Sequence, residues 1–375
     1  MDFDLSDEQR LLQDSAARYV TEQAGFEQWQ RWRRAGQLPG AALWPAFADM
    51  GWLALRFAAA DGGLDGGPLE TMLLMEQLGR GLVAEPYLQT VVMAGEILHR
   101  SASGAERSSR ITQVMQGQCR VALACNEAAS RYEQACVMTH GQPAGDGWQL
   151  NGAKAVVIGA GDARAFIVSA MTPGGLALFW VDASAPGLCC RHYPLVDGGS
   201  GADLKIESVL VDDRSRLCAP GDALALLAHA TNAGLAAMGA ESVGLVDLLL
   251  AQTTAYTSQR QQFGQPLARL QALRHRMVDM FMQAEQLRSI VLLASVRLAE
   301  SVELPHADLP RVLSALKVQL GQVGRFVSQQ AVQLHGGMGM TDDIVVGHAF
   351  KRLLALDAQL GNVDHHLQRF AALSR

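Results

Sequence analysis

Ala223-Leu-Ala-Leu-Leu-Ala-His-Ala-Thr-Asn-Ala-Gly-Leu-Ala-Ala-Met-Gly-Ala-Glu241-Ser-Val-Gly-Leu-Val-Asp247 opens a small-residue and apolar run that no proline interrupts before Pro266. Pro220-Gly221 before it is a breaker pair and Asp222 an N-cap residue, so the pattern predicts one long helix from about Ala223 to about Gln261. Ala236, Ala237, Met238, Ala240, Val243 and Leu245 surround Glu241 on nearly every face. A helix apolar all round is normally buried. A buried carboxylate either shifts its pKa upward or finds a partner. Two readings of Glu241 therefore stand open: a general base working near neutral pH, or a glutamate hydrogen-bonded to an arginine of a neighbouring helix.

Downstream of Pro266, Leu270, Leu273, Met277, Met280, Ala284, Leu287, Val291 and Leu298 keep helical spacing. A further helix starts near Asp308-Leu309-Pro310, carries Leu313, Leu316, Leu320, Val323, Val327, Ala331 and Leu334, and stops at Gly336-Gly337. Helices of this length at the C-terminal end imply a four-helix bundle with antiparallel neighbours.

Upstream the pattern changes. Val121–Cys125, Trp148–Leu150, Ala155–Ile158, Ala165–Ser169, Leu176–Val181 and Ile206–Val211 are short β-rich runs bounded by turn residues. The turns Gly145-Asp146-Gly147 and Pro173-Gly174-Gly175 suit hairpins, which predicts an antiparallel barrel or sandwich over a Rossmann sheet. Residues 1–118 read as helical, with Ser6-Asp7-Glu8-Gln9 as a capping box and helices over Ala41–Met50, Pro68–Leu78 and Val83–His99. The glycine-dense Ala60–Gly67 lacks the preceding strand and the order of a dinucleotide fingerprint, and reads as a surface loop. The expected architecture is mainly α with a β insertion: a helical domain over 1–118, a β domain over 119–218 and a helical bundle over 219–375.

Composition excludes several function classes. With 375 residues, 49% of them hydrophobic, the chain can bury substantial cores in two or three domains. A net charge of -6 and the lack of a Lys/Arg block argue against a nucleic-acid partner. The polar first twenty residues argue against a signal peptide, and polar interruptions within every apolar run argue against a membrane span. The six cysteines, without metal-ligand spacing, read as reduced core thiols in a cytoplasmic protein that binds no structural metal.

Two motifs carry chemistry. Arg260-Gln-Gln-Phe263-Gly264-Gln265 falls where one long helix ends and the next begins, offering a guanidinium, an aromatic ring and free helix-end amides to a diphosphate and a flat heterocycle. Gln333-Leu334-His335-Gly336-Gly337-Met338-Gly339-Met340 sets glycines beside a helix terminus, where they serve either as a C-cap and hinge or as a surface that a ligand can approach closely.

These motifs, in this order of helical, β and helical segments, resemble the flavin-dependent acyl-CoA dehydrogenases over essentially the whole chain. More narrowly, Met1–Gln9, Pro68–Met72, Glu85–Leu88, Phe350-Lys-Arg-Leu353 and Asp364-His-His-Leu367 resemble the small subunit of bacterial pimeloyl-CoA dehydrogenases. The resemblance implies FAD, an acyl-CoA substrate dehydrogenated between its α and β carbons, and an electron-transfer flavoprotein as acceptor. It also implies that Arg260 pairs with the FAD diphosphate, that Phe263 and Gln271 touch the cofactor, and that Gln333, Gly336 and Gly337 meet the FAD of a neighbouring subunit. A homo-oligomer, or a hetero-oligomer with a paralogous acyl-CoA dehydrogenase subunit, follows from that.

The departures from the family pattern matter as much. The C-terminal loop where many members carry a glutamate base reads Gln359-Leu360-Gly361-Asn362, and Leu360 cannot take a proton. Other members place the base on the long helix, and Glu241 matches the Ala-Glu-x-x-Gly of the subfamily, which makes it the candidate base. The family's Thr-Glu-Pro loop reads Cys125-Asn126-Glu127-Ala128, leaving Asn126 as a candidate for the isoalloxazine edge. The Trp-Ile-Thr segment reads Val156-Val157-Ile158, which removes an aromatic shield beside the flavin. Three functions are compatible with this: an acyl-CoA dehydrogenase, a partner subunit without its own chemistry, and an oxygen-using flavoprotein of the same fold.

Overall fold

The computed structural model describes residues 4–35, 40–102, 104–219, 221–301 and 306–374, the side chains at 33 and 40–42 excepted. Pro220, read above as half of a breaker pair, lies outside them. In chain order the elements are α1 (Asp7–Gln23), α2 (Phe26–Arg34), α3 (Gly40–Asp49), α4 (Pro68–Arg80), a π-helical segment (Leu88–Ala94), α5 (Gly95–Arg100) and α6 (Ala105–Met115). Seven strands follow: β1 (Val121–Ala124), β2 (His140–Ala144), β3 (Gly147–Ile158), β4 (Ala165–Thr172), β5 (Gly175–Asp182), β6 (Leu188–Pro194) and β7 (Ser200–Asp212). Then come α7 (Ala223–Gln259), the short hairpin strands β8 (Gln261–Gln262) and β9 (Gln265–Pro266), α8 (Gln271–Glu300), α9 (Leu309–His335), α10 (Val345–Ala358) and α11 (Val363–Leu373). The chain divides into two compact units. One is Met1–Pro39, Gly67–Ala84 and Leu235–Arg375; the other is Gly40–Gly66 and Glu85–Gly234.

In the first, helical unit, the capping box at the start of α1 forms as the sequence implies: Ser6 Oγ accepts from the Gln9 amide and Gln9 Oε1 accepts from the Ser6 amide. α9 buries the expected apolar stripe, from Leu313 to Leu334, while α8 buries Met280, Ala284, Leu287 and Val291. α7 stops at Gln259, because Gln261 already pairs with Pro266 in the hairpin. α4 and α7 approach at backbone distance. A Cβ on Gly79 would collide with the Glu241 carbonyl oxygen, and one on Gly244 with the Glu76 carbonyl oxygen. An ion network ties α8 to this crossing: Arg288 Nη2 donates to Asp247 at 2.8 Å and Nη1 to Glu76 Oε1 at 3.2 Å, while Arg80 Nη2 donates to Asp247 at 2.6 Å. By length and composition α7 is long and apolar enough to cross a membrane, but 83% of its most apolar stretch is buried, as in a core helix.

The second unit carries the β insertion. Its strands form one curled sheet in the order β1-β4-β2-β3-β7-β6, with β5 on β4. Most pairs are antiparallel, and the two expected glycine turns close the β2–β3 and β4–β5 hairpins. The sheet is nonetheless mixed, since β1 and β2 both run parallel to β4. The runs Trp148–Leu150 and Ala155–Ile158 belong to a single strand, β3, whose register shifts between Leu150 and Gly152 and again between Lys154 and Val157. β2 and β6 have no apolar run to announce them: their faces are largely exposed and carry His, Gln, Arg and Pro. Phe166, Val168, Phe179, Leu204 and Ile206 fill the core between the strands. The predicted helix over Val83–His99 begins later, after Pro86, as the π-helical segment. There Thr90 Oγ1 donates to the Val121 carbonyl and accepts from the Val121 amide. The six cysteines are free thiols, but the expectation that all are core residues fails: Cys136 and Cys189 are exposed, Cys189 on the open β6.

Candidate cofactor groove

The groove lies in the helical unit where α7 hands over to α8. After Gln259 the chain turns through β8 and β9, with Phe263 at φ 54° and Gly264 at φ 74°. Two consecutive left-handed residues are what a two-residue hairpin turn demands, and glycine takes this conformation freely. A bulky residue there is strained, a condition that tends to persist where function requires it. Phe263 stands at the tip with 86% of its surface exposed. The Leu267 amide donates to the Arg260 carbonyl at 2.9 Å and closes the turn, and α8 then starts at Gln271, which is exposed.

Facing this turn is the end of α9. His335 is buried, its Nδ1 lies 2.8 Å from the Ala331 carbonyl, and its ring stacks on Tyr256 at 4.5 Å between centroids. Burial lowers its pKa, which favours the neutral ring. The helix ends at Gly336 with φ 60°, a conformation that suits glycine. The groove between these walls has a volume of about 730 Å³. Arg260, Gln333, Gly336 and Gly337 all line it, so two motifs about seventy residues apart in sequence meet in space. Positions where a Cβ would stand on Gly336 and Gly337 have no heavy atom within 4 Å, which leaves that backbone open to a ligand. Among the described residues that line the groove there is no Asp or Glu. An open backbone with guanidinium groups and no carboxylate fits a diphosphate, and FAD carries one.

The remaining candidates lie elsewhere. Phe263 and Gln271 flank the groove in sequence but are not among its lining residues. Asn126 is in the other unit, exposed at the end of β1, with its carbonyl accepting from the Ala155 amide at 2.9 Å. Glu241 is nineteen residues before Arg260, roughly 28 Å along a helix. Arg352 of α10 clasps its carboxylate: Nε donates to Oε1 at 2.6 Å and Nη2 to Oε2 at 3.0 Å. The carboxylate is thus held in a bidentate ion pair with a neighbouring helix. At the turn between α10 and α11, Leu360 has φ 54°, its carbonyl faces His366 Nε2 at 2.9 Å, and Asn362 caps α11 by accepting from the His365 amide.

Some site-building residues gave no sign in the sequence. Tyr256 and Arg276 line the groove but belong to neither motif. In the sheet-bearing unit, Glu127 and Lys154 form a buried pair at 2.7 Å, and Lys154 also donates to Ser169 Oγ at 2.9 Å. Among the described residues no group of three or more His, Cys, Asp or Glu is placed to hold a metal ion.

Comparison with known proteins identifies the class. The acyl-CoA dehydrogenase N-terminal domain model matches residues 6–118 and the C-terminal domain model residues 224–372. The chain belongs to the acyl-CoA dehydrogenase family, FAD-dependent enzymes that dehydrogenate acyl-CoA thioesters. Acyl-CoA dehydrogenase FadE27 of Mycobacterium tuberculosis is 28% identical over 333 residues, covering 87% of this chain and 86% of the relative. The human mitochondrial short-chain specific acyl-CoA dehydrogenase is 25% identical, over 83% of this chain and 78% of its own length. Among solved structures, a variant of the Tcur3481-Tcur3483 steroid ACAD is 27% identical with a TM-score of 0.86, covering 98% of each chain. A chain of the ChsE4-ChsE5 complex from M. tuberculosis has the same fold, with a TM-score of 0.89 at 24% identity over 99% of this chain and 98% of that one.

Proposed function

We propose that this chain takes part in the FAD-dependent α,β-dehydrogenation of an acyl-CoA and holds the FAD diphosphate in the groove between α7, α8 and the end of α9. The observation that carries this reading is the meeting of Arg260 with Gln333, Gly336 and Gly337 in one cavity. When bound, FAD supplies the hydride acceptor. The chain's own residues bind and orient: Arg260 neutralises the diphosphate, and Gln333 and the glycine backbone come close to it. Phe263 and Gln271 pack on the cofactor from the rim. The substrate class is a medium-length, dicarboxylic or ring-bearing acyl-CoA. Likeness to the pimeloyl-CoA dehydrogenase small subunit supports the dicarboxylic member of that set, and the Tcur3481-Tcur3483 steroid ACAD supports the ring-bearing one. An electron-transfer flavoprotein takes the electrons onward.

In this reading Glu241 is the base that removes the α proton. A second reading moves the proton acceptor elsewhere, motivated by the Arg352 clasp on Glu241. With Leu360 at the other family position, the chain in that second reading is a partner subunit without its own chemistry, and a paralogous subunit supplies the carboxylate that removes the α proton. The paired name of the Tcur3481-Tcur3483 structure supports such an assembly.

The test is the visible spectrum of the purified protein, followed by anaerobic addition of a panel of acyl-CoA thioesters. A yellow protein that one thioester bleaches is the expected result, and the bleaching ligand names the substrate class. If bleaching appears only after co-purification with a paralogue, the second reading holds. A protein that stays colourless both alone and with its paralogue overturns the FAD assignment.

A further inference from the structure

We propose that Arg276 is a second diphosphate-binding residue of the groove. The inference rests on the FAD reading above and extends it to a side chain outside both sequence motifs. Arg276 stands on the second turn of α8, exposed, and lines the same groove as Arg260. Its Nη1 donates to Gln330 Oε1 at 3.4 Å, a long bond that leaves the guanidinium lightly held. Two arginines in a groove whose described lining includes no carboxylate leave a local excess of positive charge that an anion would neutralise. A diphosphate offers one phosphate to each guanidinium fork.

The wall beside them suits the rest of the group. Tyr256 and His335 stack with an interplanar angle of 26° and both line the groove, giving a flat aromatic surface for a purine. His335 is favoured in its neutral form by burial, so it adds no charge of its own to that surface. Two ligands of this chemistry carry adenosine diphosphate, FAD and coenzyme A; the proposal assigns the groove to FAD, and the titration separates the two.

The experiment titrates FAD, by flavin fluorescence, and coenzyme A, by calorimetry, into the full-length chain stripped of flavin. If the chain is isolated with a paralogous subunit, the complex is used. Wild type, Arg276→Gln, Arg276→Lys and Arg260→Gln are compared, with circular dichroism confirming that each is folded. Arg276→Gln is expected to weaken FAD about tenfold, as loss of a charge-assisted hydrogen bond does. The loss shrinks in high salt, Arg276→Lys falls between, and coenzyme A binding does not change. A loss for coenzyme A with FAD unchanged gives the groove to the thioester instead. If Arg276→Gln binds both ligands as wild type does while Arg260→Gln loses FAD, the role of Arg276 is overturned and the FAD reading stands. If wild type binds neither ligand, the FAD reading itself falls.

Discussion

Each unit of this chain buries a carboxylate against a cation, and the two do it differently. In the sheet-bearing unit Glu127 is saturated by many donors: Lys154 Nζ at 2.7 Å, Thr139 Oγ1 at 2.7 Å, the Thr139 amide at 3.0 Å and the Met138 amide at 2.7 Å. In the helical unit one guanidinium satisfies both oxygens of Glu241. A lysine is a compact charge that needs auxiliary hydroxyls and amides around it, whereas an arginine fork matches a carboxylate alone. Burial by itself would raise the pKa of Glu127, but the hydrogen bonds from Lys154 and Thr139 outweigh it and hold the group at about 2. An acid inside an apolar segment is therefore not a base until its partners have been found.

The largest effect is expected where the cation is the more deeply buried of the two. Lys154 is 1% exposed, so Lys154→Met leaves Glu127 without its counter-ion. That should cost about 3–5 kcal/mol, read as a drop in thermal midpoint, while Lys154→Met with Glu127→Leu should recover most of it. A single variant as stable as wild type would show that the hydroxyl and amide donors suffice and that the cation is dispensable.

Glu241→Gln tests the other half of the comparison. Removing the charge from a pair that is almost buried should cost about 2–3 kcal/mol. If the ion pair is structural, Arg352→Gln should cost a similar amount, and bleaching by acyl-CoA should survive in both variants at a permissive temperature. Abolished bleaching in a Glu241→Gln protein that keeps its flavin and its stability would make Glu241 the general base.

Why the sequence reached as far as it did follows from distance along the chain. The long α7, the α9 stripe and the capping box at Ser6 are decided by residues a few positions apart, and local pattern captures them. The two groove motifs were legible because each is a compact run of unusual residues. The partner of Glu241 was not, since Arg352 lies 111 residues away and nothing local marks it. The strands β2 and β6 escaped for another reason: their faces are mostly exposed, so no apolar alternation announces them. Arg276 looked like any charged residue on a solvent-facing helix turn until the end of α9 was placed opposite.

The helix crossing that carries Glu241 can be perturbed without touching any charge. Gly79→Ala would push a methyl group against the Glu241 carbonyl, and Gly244→Ala one against the Glu76 carbonyl. Each should cost about 1–3 kcal/mol through displaced backbone. Because the Arg352 pair hangs from the same turn of α7, Gly79→Ala combined with Arg352→Gln should be less than additive, a coupling that a double-mutant cycle on thermal midpoints measures. Strict additivity would mean that the crossing and the ion pair are independent supports.

The mildest test separates the two units by acid. His366 in the helical unit is buried, and desolvation lowers its pKa to about 4, with Lys317, His365 and Arg369 adding to the effect. A histidine lowered in the folded state is protonated first in the unfolded chain. Its stabilising contribution is complete above an unfolded value near 6.5 and is lost as pH falls toward 4, at no more than about 1.4 kcal/mol per pH unit. Glu127 follows the same sign in a lower window: its contribution is complete above the unfolded carboxylate range and is lost only as pH falls from about 4.5 through 2. Hydrogen exchange read peptide by peptide should therefore show α11 losing protection between about pH 6.5 and 4 while β3 keeps its own. His366→Asn should flatten the first change and leave the second. If β3 loosens first or both loosen together, the acid response is set by something other than these two buried groups.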